Sequence, residues 1–160
     1  MYPKATVMNS RFMDIALDLA KESLSEGEIP VGAVVVKDGK IIGTGRNKRE
    51  QKNLSTSHAE IEAINDACKN TGDWRLDGCE IYVTLEPCLM CTGAILSARI
   101  DTVVFGAFDL KSGCVDSAFN INTFPSDSKI SVFGGIRETE CSALLTEFFK
   151  GVRKNATENN

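Results

Sequence analysis

One histidine, His58, occurs in 160 residues. That scarcity excludes a metal site built on two histidines. A closed four-ligand zinc module would have to take a further ligand from Cys68 or Cys114. No apolar run approaches the ~20 residues of a membrane-spanning helix, so no membrane partner is expected. Positive charge is not in excess: 18 Lys and Arg stand against 22 Asp and Glu, giving a net charge of −4. A broad, non-specific grip on nucleic acid is therefore disfavoured, and such a ligand would have to be recognised locally. Met1-Tyr2-Pro3-Lys4 leads into no signal-peptide core, so a cytoplasmic location is the expectation. Internal repeats and interdomain linkers are missing too. Residues 1–154 read as a single domain and residues 155–160 as a loose polar tail.

What is present is ordinary for a globular domain: 42% hydrophobic and 25% charged residues, enough to fill one core. Phe12, Ile15, Ala16, Leu19 and Ala20 recur at helical spacing, which predicts a helix over 9–26 stopped by Gly27. Two strands, 31–37 and 40–45, flank Asp38-Gly39, a strong two-residue hairpin signal. Residues 46–55 are polar and aperiodic and read as a loop. A helix over 58–70 follows, with Gly72 as its stop, and then a strand over 79–85. A third helix begins at Pro87. A short strand over 102–106, a loop over 107–116 and a poorly patterned stretch over 117–128 come next. The chain closes with a strand over 129–133 and a helix from 138 to about 153. Strands joined through helices are mostly parallel, so the expected class is α/β, a mixed sheet with helices on both faces.

Two runs carry the chemistry. Thr56-Ser57-His58-Ala59-Glu60 contains H-x-E, and Thr84-Leu85-Glu86-Pro87-Cys88-Leu89-Met90-Cys91 contains P-C-x-x-C. Cys88 and Cys91, opening one helix, can both face one ion, and His58 from another helix supplies a third ligand. Three nitrogen and sulfur ligands suit zinc and leave a fourth position open for water, which points to hydrolysis. Glu60 is placed to move protons in such a reaction. Plainer readings stand beside this one. Ser57-x-x-Glu60 is also a helix capping box, and Cys-x-x-Cys alone is also a redox pair or half of a structural zinc site. The conjunction of all parts favours the catalytic reading. Cys68, Cys79, Cys114 and Cys141 are scattered and read as small packing residues in a reducing compartment. Asn47, in the loop before the first motif, offers an amide to a substrate or serves as a turn residue.

On these residues the chain resembles the cytidine deaminase-like superfamily, and within it the branch that deaminates adenosine in tRNA. The likeness runs from about residue 11 to 153. Its blocks are Ile29-Pro30-Val31-Gly32-Ala33-Val34, His58-Ala59-Glu60, Trp74-Arg75-Leu76, the run from Tyr82 to Cys91, Val104-Phe105-Gly106-Ala107, and Glu140-Cys141-Ser142-Ala143-Leu144-Leu145. The resemblance implies a three-layer α-β-α fold with a five-stranded mixed sheet, and a homodimer. It implies one zinc per chain on His58, Cys88 and Cys91, with Glu60 as proton shuttle. Substrate contacts are implied for Asn47, the backbone around Ala59, and Asp109. The implied reaction is adenosine to inosine at the wobble position of an arginine tRNA. Two stretches depart from that branch's pattern: Asn53-Leu54-Ser55-Thr56-Ser57, and Asp127-Ser128 before the last strand.

An anticodon loop offers unstacked bases that a pocket can take singly. Lys111, beside Asp109, and Lys150, Arg153 and Lys154 on the last helix would then contact phosphates, with Phe148 or Phe149 backing a splayed base. Two rivals remain. One is a deaminase of free guanine, cytosine or a nucleoside. The other is a catalytically silent zinc scaffold that only binds RNA, for which an intact Glu60 has no use.

Overall fold

The computed structural model describes residues 10–159. The elements in chain order are helix α1 (Ser10–Ser25), strands β1 (Gly32–Lys37) and β2 (Lys40–Arg46), helices α2 (Arg49–Lys52) and α3 (Ala59–Thr71), strand β3 (Cys79–Leu85), helix α4 (Leu89–Ser97), strands β4 (Thr102–Ala107) and β5 (Ser131–Phe133), and helix α5 (Glu138–Glu158). The strands form one five-stranded sheet in the order β2-β1-β3-β4-β5. β1 is antiparallel to both β2 and β3, while β3, β4 and β5 run parallel. The mixed sheet expected from the alternation of elements is therefore present.

The period-two alternation of the strands sorts the core into two layers. Ala33, Val35, Ile81, Val83, Val103 and Phe105 face one way and pack with Ala59, Ala63 and Ala67 of α3 and Ile95 of α4. Val34, Val36, Tyr82 and Val104 face the other way and meet Phe12, Met13, Ala16 and Leu17 of α1 and Cys141 of α5. Each fully buried large apolar side chain contributes about 1.5–3 kcal/mol, so both faces hold the sheet. No helix among the described residues is long and apolar enough to cross a membrane.

The hairpin turn falls where expected: Asp38 and Gly39 both have positive φ (50° and 74°), and Lys37 pairs with Lys40. β2 owes its close approach to α3 to glycine. A Cβ at Gly43 would lie 2.5 Å from the Ala63 carbonyl oxygen, and one at Gly45 would meet the Ala59 carbonyl. The first turn of α3 is thus pressed directly onto the sheet edge.

Three expectations need correction, and a fourth falls outside the described residues. The segment 46–55 is not all loop, since Arg49–Lys52 forms one helical turn. Its N-terminal amides are received by a distant carboxylate: Glu28 accepts from the Glu50 and Gln51 N–H groups at 3.2 and 2.6 Å. The last strand is shorter than 129–133. α5 continues to Glu158, so residues 155–158 are helical and exposed rather than a loose tail. Nothing after Gly151 breaks a helix, and the Thr157 hydroxyl bonds back to the Arg153 carbonyl at 2.8 Å. Finally, Asn9, the expected start of the first helix, lies outside the described residues, and α1 is seen from Ser10.

Candidate active site

His58 and Cys88 occupy equivalent places in two helices. Each is the residue before the first turn, with extended backbone (φ −70°, ψ 156° and φ −73°, ψ 176°), and neither side chain caps its helix. His58, not Ser57, holds the N-cap position of α3, so the Ser57-x-x-Glu60 capping box is not formed. The freed side chains converge. His58 Nδ1 lies 3.7 Å from Cys88 Sγ and 3.5 Å from Cys91 Sγ, the latter in the first turn of α4. One ligand atom from each of the three residues falls within 4.8 Å of the others. Tetrahedral zinc, with bonds near 2.0 Å to nitrogen and 2.3 Å to sulfur, requires N and S to be roughly 3.5 Å apart. The donor set and its spacing fit one zinc ion.

The electrostatics agree with a cation-binding cluster. Hydrogen bonding from Cys91, and then from His58, pulls the Cys88 thiol down to about 4. The same bond to Cys88, together with burial, pushes Cys91 up. His58 is raised chiefly by its bond to Cys88. The three groups share their protons closely, and a metal binding there would displace protons from the thiols. The amide-rich starts of α3 and α4 add positive potential at the sulfurs.

Beside the cluster is a cavity of about 240 Å³, at the small end for ligand sites. Glu60 lines it while only 4% exposed, and burial pushes its carboxyl above the usual range. Asn47, Ala59 and Asp109 line the same cavity. The Asn47 amide is partly used: its Oδ1 accepts from Arg49 N–H and its Nδ2 donates to the Ile29 carbonyl, both at 3.2 Å. One lone pair and one N–H remain uncommitted. Ala59 opens α3, where backbone N–H groups have no carbonyl of their own helix to bond. Asp109 Oδ1 accepts from the Lys111 and Ser112 N–H groups at 3.1 and 3.0 Å, folding its loop into a tight turn.

The other expected contacts are not brought to this cavity. Lys111 is next to Asp109 in sequence but does not line it. Lys150, Arg153 and Lys154 line a separate shallow depression on α5. Phe149 is 47% exposed and stands edge-on to Phe148 at 5.3 Å. Conversely, Arg49, Glu86 and Ser112 line the cavity, although no sequence pattern assigned them to it. Glu86 belongs to the second motif and Ser112 follows Asp109 closely, so proximity in sequence was the available signal. All six cysteines are free; Cys79 and Cys141 are buried, while Cys68 and Cys114 are partly exposed.

A three-layer α/β fold with a His-Cys-Cys cluster and a buried glutamate at helix starts defines a zinc-deaminase class of protein. Residues 7–107 match the cytidine and deoxycytidylate deaminase zinc-binding region, and the chain belongs to that family. It is 44% identical over 144 residues to the tRNA-specific adenosine deaminase of Bacillus subtilis (strain 168), covering 89% of each chain. Among solved structures it resembles a tRNA:A34 deaminase studied for A-to-I editing at the wobble position of transfer RNA. That match has a TM-score of 0.83 and 40% identity, over 86% of this chain and 100% of the other. A guanine deaminase from Bacillus subtilis matches with a TM-score of 0.61 and 46% identity, over 63% of this chain and 66% of that one.

Proposed function

We propose that this chain is a zinc-dependent hydrolase that converts adenosine to inosine at the wobble position of a tRNA anticodon loop, that of an arginine tRNA by resemblance. The supporting observation is the extent of the likeness to the tRNA:A34 deaminase, which covers 86% of this chain and 100% of that one, whereas the match at 46% identity to a guanine deaminase covers 63% and 66%. His58, Cys88 and Cys91 would hold one zinc per chain. When bound, the ion supplies a Lewis acid that brings the pKa of water to about 7.

The residues of the chain do the rest. The base must leave any stack to reach a cavity this small. Asn47, the backbone at Ala59 and Asp109 orient it through their free polar atoms. Glu60 takes a proton from the attacking water and delivers protons to the ring nitrogen and to the departing amine. The new bond joins water oxygen to C6, the C6–amine bond breaks, and the products are inosine and ammonia. The burial of Glu60 favours its protonated form between these transfers, as a shuttle requires.

The functional unit is a single domain that includes the whole of α5, working in the cytoplasm. It pairs with a second copy of itself. An apolar groove lined by Leu89, Leu96, Phe119, Ile121 and Phe124, next to the metal cluster, supports that pairing. Lys111, Phe149, Lys150, Arg153 and Lys154 are the candidate RNA contacts outside the cavity. A free-base deaminase is the second reading, and it draws on the 46% identity to a guanine deaminase. Ammonia release from tRNA and from free guanine, cytosine and cytidine separates the two. Turnover on tRNA alone is expected, and turnover on a free base alone would promote the second reading.

A further inference from the structure

Glu86 is 2% exposed at the wall of the cavity, and all the hydrogen bonds given for its carboxylate come from one segment. Its Oε1 accepts from the Asp109 N–H at 3.3 Å and from the Ser117 hydroxyl. Its Oε2 accepts from the Asp116 and Ser117 N–H groups at 3.1 and 2.9 Å. An ionised carboxylate offers about four lone-pair sites, and four donors fill them. No acceptor capacity is left for a substrate or for proton transfer. The segment wraps this carboxylate so closely that a Cβ at Gly113 would collide with the Glu86 Cδ. The first part of the wrap matters to the cavity, because Asp109 and Ser112 line it.

We propose that Glu86 is a positioning residue. It gathers residues 109–117 into a fixed wall and so sets where Asp109 and Ser112 meet the substrate, without taking part in the chemical step. The kinetic part of this inference rests on the deaminase reading given above, and the structural part does not.

The Glu86→Gln substitution is the discriminating probe. It keeps size and shape but turns one acceptor into an NH2 group, which faces either the Asp116 and Ser117 N–H groups or, turned over, the Asp109 N–H beside a Ser117 hydroxyl that can reverse to accept, so at least one N–H loses its acceptor. A packing role would tolerate it, whereas a gathering role does not. Amide hydrogen exchange in 109–117 is expected to rise about tenfold or more in Glu86→Gln, as in Glu86→Ala. On the substrate, KM is expected to rise about tenfold while kcat changes much less and zinc is retained. Ser117→Ala removes one donor and leaves the fold intact, and it should shift KM in the same direction by less. It keeps the inference testable if both Glu86 variants fail to fold. Exchange and KM of the Gln variant matching the wild type would overturn the proposal. So would a fall in kcat with an unchanged wall, which would place Glu86 in the chemistry. If the wild type proves inactive on tRNA, the functional reading fails while the exchange experiment still decides this one.

Discussion

Glu60 and Glu86 are buried carboxylates on the same cavity, yet their surroundings are opposite. Glu60 stands in the first turn of α3 beside the metal cluster, and burial is the main influence on it, holding its carboxyl above the usual range. Glu86 stands just before Cys88 and is saturated by four donors of the 109–117 wall. The Glu60 carboxylate bonds its own backbone N–H and the Cys91 thiol of the metal cluster, whereas the Glu86 carboxylate is filled by four donors from one loop. Burial alone thus says little about role, whereas the accounting of lone pairs separates the two. A third buried carboxylate repeats the second pattern: Glu28, 1% exposed, receives two N–H groups of α2 and fixes the segment between Asn47 and His58.

The largest effect should come from removing the floor of the cavity. Cys88→Ala and Cys91→Ala should each lose zinc and with it all measurable turnover, as metal analysis beside an activity assay would reveal. Full zinc occupancy in both would dismantle the cluster. Glu60→Ala comes next. Turnover should fall by at least ~10²–10⁴ while zinc and melting temperature stay near wild type. If Glu60 only closed the helix, activity would be near normal and stability lower by about 1 kcal/mol. A smaller change is expected at Glu28. Glu28→Ala strands two backbone N–H groups and should cost roughly 1–3 kcal/mol in chemical denaturation, with zinc retained. Unchanged stability would mean that α2 does not depend on it. The smallest effect concerns the periphery. Replacing Lys150, Arg153 and Lys154 together should weaken tRNA binding and flatten its salt dependence by about one unit for each phosphate no longer neutralised. Salt dependence identical to wild type would remove α5 from the RNA surface.

These differences also explain what could be read from the sequence. The metal cluster was legible because its three ligands lie at or just inside two helix starts, so short motifs carry the geometry. The sheet was legible because Val- and Ile-rich runs alternate with helical periodicity. The walls were not. α2 depends on Glu28, more than twenty residues earlier, and no local pattern announces a turn capped from that distance. The role of Glu86 depends on donors up to thirty-one residues later. Residues 117–128 have weak patterning because their order comes from single polar side chains. Asn122 donates to the Ile130 carbonyl at 2.8 Å and accepts from the Ile130 N–H at 3.0 Å. The capping box failed because Ser57 was judged by spacing, while the chain places His58 at the helix start. The basic residues of α5 were grouped correctly by composition, but their distance from the cavity is a property of the packed helix.

The most direct test is to incubate the zinc-loaded wild type and Glu60→Ala with total tRNA and to sequence the product for A-to-G changes. The expected result is a change confined to the wobble adenosine in the wild-type sample and its near absence with Glu60→Ala. No change in any tRNA, together with rapid deamination of free guanine or cytosine by the wild type, would contradict the account.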